Sequence, residues 1–302
     1  MRILLTGANG LVGQKLKESI SCSKDMELIA TSRSLEVNPL EYNYTFELLD
    51  ITKPEQISGI FSKYNPNVLI NAAAEANVNF CEKNKIPCWK TNVEAVMNLV
   101  KYCNLYHTHL VHISTDFVFD GRKISYEEDD TPSPLNYYGI TKQEGEQYII
   151  NECRKWSVIR TILLYGYFHG MKKDNIVTWV INSLSDNKSI KAVNDQYRCP
   201  TLAEDLANTL KSITIEQKEG IFHISGNEMY TISEMAYITA EYFGLDKTLI
   251  SEISTLALNE PAPRPSRTRF NLMKASKELE FIPKTFQEGL KIIDKQINKK
   301  KY

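Results

Sequence analysis

The chain has 302 residues, 36 basic and 37 acidic, for a formal net charge of −1, with 42% hydrophobic and 24% charged residues. At roughly 150 residues per domain, this length holds one large domain or two modest ones. The charge balance excludes a nucleic-acid binder driven by bulk positive charge, and 11 Phe, 16 Tyr and 3 Trp supply the apolar bulk that a disordered chain lacks.

No apolar run approaches the ~20 residues of a membrane helix. The opening segment Arg2-Ile3-Leu4-Leu5-Thr6 is too short for a signal-peptide core and runs directly into glycines, so it reads as part of the fold. Cysteines at positions 22, 81, 88, 103, 153 and 199 form no Cys-x-x-Cys pair. They read as reduced thiols of a cytoplasmic protein rather than as zinc or dithiol sites.

In chain order, short Ile/Val/Leu-rich runs predict strands at 2–6, 27–31, 45–49, 67–71, 109–114 and 157–164. Between them, helical periodicity predicts helices at 11–20, 54–64, 89–106 and 136–153, the last with Ile149 and Ile150 beside a polar stripe of Lys142, Glu144 and Glu146. This is an α/β pattern, and it predicts a Rossmann-type doubly wound parallel sheet over residues 1–165. Beyond 165 the rhythm loosens to helices near 174–186, 201–216 and 231–243, strands near 190–193 and 221–224, and a proline-rich Pro261-Ala262-Pro263-Arg264-Pro265. Residues 166–302 are therefore expected to form mainly a smaller C-terminal α/β substrate lobe, with part of this later chain returning to the sheet. The basic Lys299-Lys300-Lys301 reads as a solvated helix end.

Thr6-Gly7-Ala8-Asn9-Gly10-Leu11-Val12-Gly13 follows a strand and opens a helix, the setting in which backbone amides receive a pyrophosphate. The spacing is Gly-x-x-Gly-x-x-Gly, so a purely structural turn stays open beside dinucleotide binding. The second strand runs into Thr31-Ser32-Arg33-Ser34, and an Arg there suits the 2′-phosphate of NADPH. A surface role for Arg33, and use of NADH, remain the alternatives. Asp50-Ile51 and Ala72-Ala73-Ala74 end the third and fourth strands, where ligands bind in this architecture; the alanines serve equally as packing residues.

Ser114-Thr115-Asp116 ends the fifth strand, and Tyr138 and Lys142 stand four residues apart on one helix face. A Lys ammonium near a phenol is expected to lower its pKa, so that Tyr138 exchanges a proton with a substrate oxygen in step with hydride transfer. Thr115 would orient the same oxygen and stabilise charge developing on it.

On these segments, together with Phe117-Val118-Phe119-Asp120-Gly121, Pro132-Ser133-Pro134-Leu135-Asn136-Tyr137-Tyr138-Gly139, Val193-Asn194-Asp195-Gln196, Pro200-Thr201, Asp205-Leu206-Ala207 and Arg264-Pro265, the chain resembles extended short-chain dehydrogenase/reductases. Within them it is similar to the dTDP-4-dehydrorhamnose reductase family over nearly its whole length. The resemblance implies NAD(P)H-dependent reduction of the 4-keto group of a nucleotide-linked 6-deoxy sugar, dTDP-4-dehydrorhamnose giving dTDP-L-rhamnose. It makes Tyr138 the proton donor and Lys142 the holder of the nicotinamide ribose, and puts Thr115 and Asp116 against the sugar. Gly10, Leu11, Val12, Asp50, Ile51 and Ala72 to Ala74 would line the cofactor. The chain departs from the family in carrying Phe117 where Tyr is frequent, Leu163 where a sugar-contacting Trp is common, and Asn79 in place of Asp after Val78. A sugar-nucleotide epimerase or dehydratase of the same superfamily, and a non-catalytic NADP-binding regulatory subunit, are the alternatives.

A nucleotide-sugar pyrophosphate needs cations, and Arg264, Arg267, Arg269 and Arg198 are the candidates. Asn92 is weighed as an anchor near Lys142 against a capping or packing role. His107, His109 and His112 enter a strand whose alternation keeps them from converging, so no metal is expected. Glu127-Glu128-Asp129-Asp130 reads as a solvated loop. A small-molecule partner is expected, with no nucleic acid and no membrane, and a homodimer is left open.

Overall fold

Strands covered on both faces need unbroken aliphatic runs, and Ile3, Leu4 and Leu5 in the first strand and Val68, Leu69 and Ile70 in the fourth are all fully buried. The computed structural model describes residues 1–23, 25–39 and 43–298, and Lys299–Lys301 lies outside the described residues. Six strands, β1 (Arg2–Thr6), β2 (Glu27–Ser32), β3 (Thr45–Leu48), β4 (Val68–Asn71), β5 (His109–Thr115) and β6 (Trp156–Thr161), join a later strand, Gly220–Ile224, in one seven-stranded sheet. The order is β3-β2-β1-β4-β5-β6 followed by Gly220–Ile224, and every pairing is parallel. The order reverses between β1 and β4, which opens a crevice beyond their carboxyl ends. Across that switch point Thr6 stands opposite Asn71, and Asn71 opposite His112.

Leu16 and Ile20 of helix α1 (Leu11–Ser21) and Leu206, Leu210 and Ile213 of helix Ala203–Glu216 cover one face of the sheet. The other face packs against Ile57 and Phe61 of α2 (Pro54–Tyr64), Val96 and Leu99 of helix Ala95–Tyr106, and Ile149 of helix Tyr137–Glu152. At ~1.5–3 kcal/mol for each fully buried aliphatic side chain, these two layers hold the strand ends that carry the site.

Two expected elements differ. The run 157–164 stops at Thr161; Leu163 takes a positive φ of 33°, and Leu164–Tyr165 leaves to pair with Thr201–Leu202. The helix expected over 89–106 is interrupted by a widened turn at Lys90–Glu94 before Ala95–Tyr106. The sequence pattern also passed over the helices Val78–Lys83, Lys85–Trp89, Met273–Leu279 and Phe286–Asn298.

In the later chain, Tyr197–Arg198 sits between Tyr230–Thr231 and Arg267–Thr268, and Ile190–Val193 pairs with Ile250–Ile253. Among the described residues no helix is long and apolar enough to cross a membrane, and all six cysteines are free thiols.

Candidate active site

Three glycines shape the β1–α1 turn for different reasons. Gly7 has φ +71°, and a Cβ on it would lie 2.7 Å from the Ala72 carbonyl carbon; a Cβ on Gly13 would lie 2.3 Å from the Gly7 oxygen. Both are demanded by the protein's own packing. Gly10 is extended, with φ −79° and ψ 168°, a conformation open to any residue. A Cβ there would meet only the Gly7 oxygen, at 3.3 Å, and would otherwise project into a cavity of about 190 Å³ walled by Gly7, Gly10, Ser32, Arg33, Asp50, Ile51 and Ala72 to Ala74. A small residue kept where only empty cavity lies opposite is what a close-lying pyrophosphate requires.

The predicted cofactor residues divide between this cavity and the layer beneath it. Arg33 is exposed at the mouth and makes no hydrogen bond or ion pair among the described residues, although its charge reaches Asp50. Burial raises the Asp50 pKa, but bonds from Thr52 N and Thr52 Oγ1 at 2.9 and 2.7 Å outweigh it, and the carboxyl ends below its ordinary value. Asn9 ties the glycine turn to the Arg33 loop, donating to Leu35 O at 2.9 Å and accepting from Val37 N at 2.9 Å. Gly13 is buried under Gly7, and the Leu11 side chain lies against Gly166, so neither side chain position faces the cavity. Val12 lines the next chamber.

That second chamber, about 490 Å³, shares Ala72 and Ala74 with the first and collects Ser114, Thr115, Asp116, Tyr138 and Lys142 at its floor. Asn136 caps the helix Tyr137–Glu152 by accepting from Gly139 N at 2.9 Å, which aims the first turn, with Tyr138, at the strand ends. The Thr115 hydroxyl faces the Tyr138 phenol closely enough to favour its ionised form, and Phe117 meets the ring edge-on at 5.8 Å. Ser114 Oγ is buried here without a partner among the described residues. The residues therefore fit a dinucleotide: an open turn, an exposed Arg at one end, and unspent polar groups at the other.

Lys142 does not act on the phenol as the spacing suggested. Burial is the dominant influence on Tyr138 and drives its pKa well above the ordinary tyrosine value, with Asp116 adding to the effect and Thr115 opposing it. Lys142 Nζ is turned to β5, donating to Ile113 O at 2.7 Å and standing 2.9 Å from His112 Nε2. Burial brings its pKa down to about 8. Nor is the helix amphipathic in the expected sense. Lys142 and Glu146 are buried, Glu146 in an ion pair with Arg160 at 2.8 Å, and of the three polar residues Glu144 alone is exposed.

Asp116, on the chamber floor, is about 1% exposed. It accepts from Thr268 Oγ1 at 2.5 Å and from Thr115 Oγ1 at 3.2 Å, with Arg198 Nε 3.8 Å away. Burial nonetheless leaves its pKa raised. Arg198 spends its other nitrogens on Tyr197 O and Pro265 O, at 2.8 and 2.7 Å. Of the four arginines considered, Arg198 and Arg264 reach the chamber. Arg267 lies over the Tyr197 ring, and Arg269 reaches Asn227 on another groove. Arg264 pairs through Nε with Glu260, which also accepts from Asn79 at 3.2 Å; its terminal nitrogens carry no hydrogen bond among the described residues.

Sequence reasoning missed Asp174, Asn175, Ile176 and Ile232 on the chamber wall, and gave His112 no role beyond strand entry. Its alternation with Ser114 was the available signal, since both point to the same sheet face. The Asn92 carboxamide bonds both Glu75 N and Glu75 O, at 2.9 and 3.0 Å, and so fixes the loop after β4. His109 binds Ser157 at 2.9 Å on the opposite side of β5 from His112, and no metal-competent cluster occurs among the described residues. The acidic loop is less solvated than expected, because Glu128 accepts from His223 N at 3.1 Å.

The sheet order, the glycine turn, the strand-end Ser-Thr-Asp and the Tyr-x-x-x-Lys pair together define an extended short-chain dehydrogenase/reductase. A family model described as the RmlD substrate binding domain matches residues 1–298, and the chain belongs to this family, that of the dTDP-4-dehydrorhamnose reductases. A dTDP-4-dehydrorhamnose reductase structure from Clostridium acetobutylicum is 29% identical, with a TM-score of 0.88 over 99% of this chain and 100% of the other. Another from Bacillus anthracis, in complex with NADP, is 28% identical, with a TM-score of 0.83 over 97% and 98%. The methionine adenosyltransferase 2 subunit beta of Rattus norvegicus is 30% identical, covering 84% of this chain and 75% of that protein.

Proposed function

We propose that this protein is a cytoplasmic NADPH-dependent reductase of a nucleotide-linked 4-keto-6-deoxy sugar, with dTDP-4-dehydrorhamnose as substrate and dTDP-L-rhamnose as product. The observation that carries this reading is the chamber floor, where the buried Tyr138 phenol, the Thr115 hydroxyl and the buried Lys142 amine line one space next to the glycine turn. The NADP complex of the Bacillus anthracis relative supports the cofactor, and exposed Arg33 supports a 2′-phosphate.

NADPH, when bound along Gly10, Ala72 to Ala74 and Lys142, supplies the hydride. Tyr138 donates its phenolic proton to the sugar carbonyl oxygen. The burial that raises its pKa keeps that proton in place near neutral pH, which is the form a reductase needs. Thr115 orients the same oxygen, and Lys142 fixes the ribose. Asp116 and Arg198 act by holding Thr115 and the Pro261–Pro265 loop, and Arg264 offers its free nitrogens to the pyrophosphate. Leu163, at the chamber wall with its positive φ, gives the sugar an aliphatic rather than an aromatic surface.

The likeness to methionine adenosyltransferase 2 subunit beta favours one further reading, an NADP-binding regulatory subunit. The two separate on purified protein given NADPH and a panel of 4-keto-6-deoxy sugar nucleotides. Stoichiometric NADPH consumption, abolished in Tyr138→Phe, is expected. NADPH binding without consumption of any substrate would transfer the case to the regulatory reading.

A further inference from the structure

Behind Lys142 runs a line of side chains that the reductase reading does not use. The register of β1, β4 and β5 sets Thr6, Asn71 and His112 side by side, and each is about 1% exposed. The Asn71 carboxamide lies between its neighbours, one end 2.6 Å from Thr6 Oγ1 and the other 3.0 Å from His112 Nδ1. His112 Nε2 then faces Lys142 Nζ at 2.9 Å, while Lys142 Nζ also donates to Ile113 O. An ammonium has three hydrogens. Two are engaged on β5, which leaves the third for the chamber that Lys142 lines.

The ring can serve as an acceptor because it stays neutral. Burial, and then the nearby Lys142 charge, push His112 well below the ordinary histidine pKa. With the ring proton on Nδ1 and the Asn71 carboxamide turned so that its oxygen receives that proton and its amide donates to Thr6 Oγ1, Nε2 is free to accept; the two carboxamide orientations have the same shape. The other titratable groups around Lys142 are few. Glu146 lies one turn on along its helix and is held by Arg160, Cys88 lies on helix Lys85–Trp89, and Tyr138 lies one turn back. β1 and β4 contribute only the uncharged Thr6 and Asn71, and the widened turn only Asn92.

We propose that His112 is a positioning residue for Lys142: its Nε2 accepts a hydrogen bond from the buried ammonium, keeps that nitrogen charged, and directs its remaining hydrogen into the chamber. The functional meaning rests on the reductase reading, whereas the geometry and its test do not. A hydrogen bond to the charged form raises a pKa, so loss of the acceptor lets burial discharge Lys142 at lower pH.

The experiment follows Lys142 directly, in protein labelled with ¹³C at lysine Cε, with the resonance assigned by its loss in Lys142→Met. The parent is expected to titrate near pH 8. In His112→Phe the midpoint should fall by about one unit or more, and in His112→Gln, whose amide oxygen can accept, it should stay within about half a unit of the parent. If the phenylalanine variant does not fold, ¹⁵N-histidine spectra of the parent take its place, and the His112 Nε2 shift must then move with the Lys142 titration. An unchanged or raised midpoint in His112→Phe, or an Nε2 shift that ignores Lys142, would overturn the proposal. Neither measurement needs turnover, so absence of NADPH consumption would count against the reductase reading alone.

Discussion

The two walls of the cleft are built from different material. The glycine-turn wall is mostly backbone and small residues, Gly7 and Gly10 in the turn from β1 to α1 and Ala72 to Ala74 just past β4, beside strands that the core already fixes. The far wall is made of long polar side chains joined across the chain. Asp116 meets Thr268, 152 residues later, Arg198 meets Pro265 O, and Asn136 donates to Pro263 O at 2.8 Å. Where the first wall faces only the cavity, as at Gly10 and Arg33, alteration should therefore cost ligand affinity before stability, and the second wall should lose both together.

Tyr138→Phe probes the floor between the walls and carries the largest expected effect. Removing the proton donor should lower kcat by ~10²–10⁴-fold while NADPH binding, followed by fluorescence titration, is retained. On the far wall, Asp116→Ala would leave Arg198, 3% exposed, without its carboxylate. Breaking a buried pair on one side costs about 3–5 kcal/mol, so a clear drop in Tm and in denaturant midpoint is expected. A Tm unchanged from the parent would erase the contrast between the walls.

On the glycine-turn wall, Arg33→Ala should raise KM for NADPH by about tenfold, the loss of one charge-assisted contact, and leave KM for NADH in place. Gly10→Ala should weaken NADPH binding with a stability change under about 1 kcal/mol, whereas Gly13→Ala, whose Cβ would lie 2.3 Å from the Gly7 oxygen, should destabilise the fold itself. Equal loss of Tm in the two glycine variants would mean that Gly10 is also a packing residue. The smallest effect concerns pH. Lys142 is charged below its folded pKa of about 8, so kcat should be level below that pH and decline above it. Because the folded pKa lies below the usual 10.5, burial of the charge costs stability at low pH, and that cost fades as pH rises through 8 toward 10.5.

The same contrast explains what could be read from the sequence. β1, β4 and the turn after β1 were legible because aliphatic runs and glycine spacing are local signals, and the Ser114–Asp116 and Tyr138–Lys142 segments stand at the strand end and helix start expected of them. The inward turn of Glu146 was not legible, since only Arg160 on a neighbouring strand makes its burial tolerable. The bonds that bury Asp116 were not legible either, because nothing near it in sequence announces Thr268 or Arg198. The break at Leu163 arises from pairing of Leu164–Tyr165 with Thr201–Leu202, a contact across some forty residues that no local pattern encodes. His112 was read as strand entry, because its partner Lys142 is 30 residues away and becomes a neighbour only in the folded sheet.

The most direct test of the central claim is a single turnover with NADPH deuterated at the transferable position and dTDP-4-dehydrorhamnose, read by NMR of the sugar. Deuterium at sugar C4 in the parent protein, and none in Tyr138→Phe that still binds NADPH, is the result predicted. Intact NADPH and unlabelled sugar in the parent, with the cofactor bound, would contradict it.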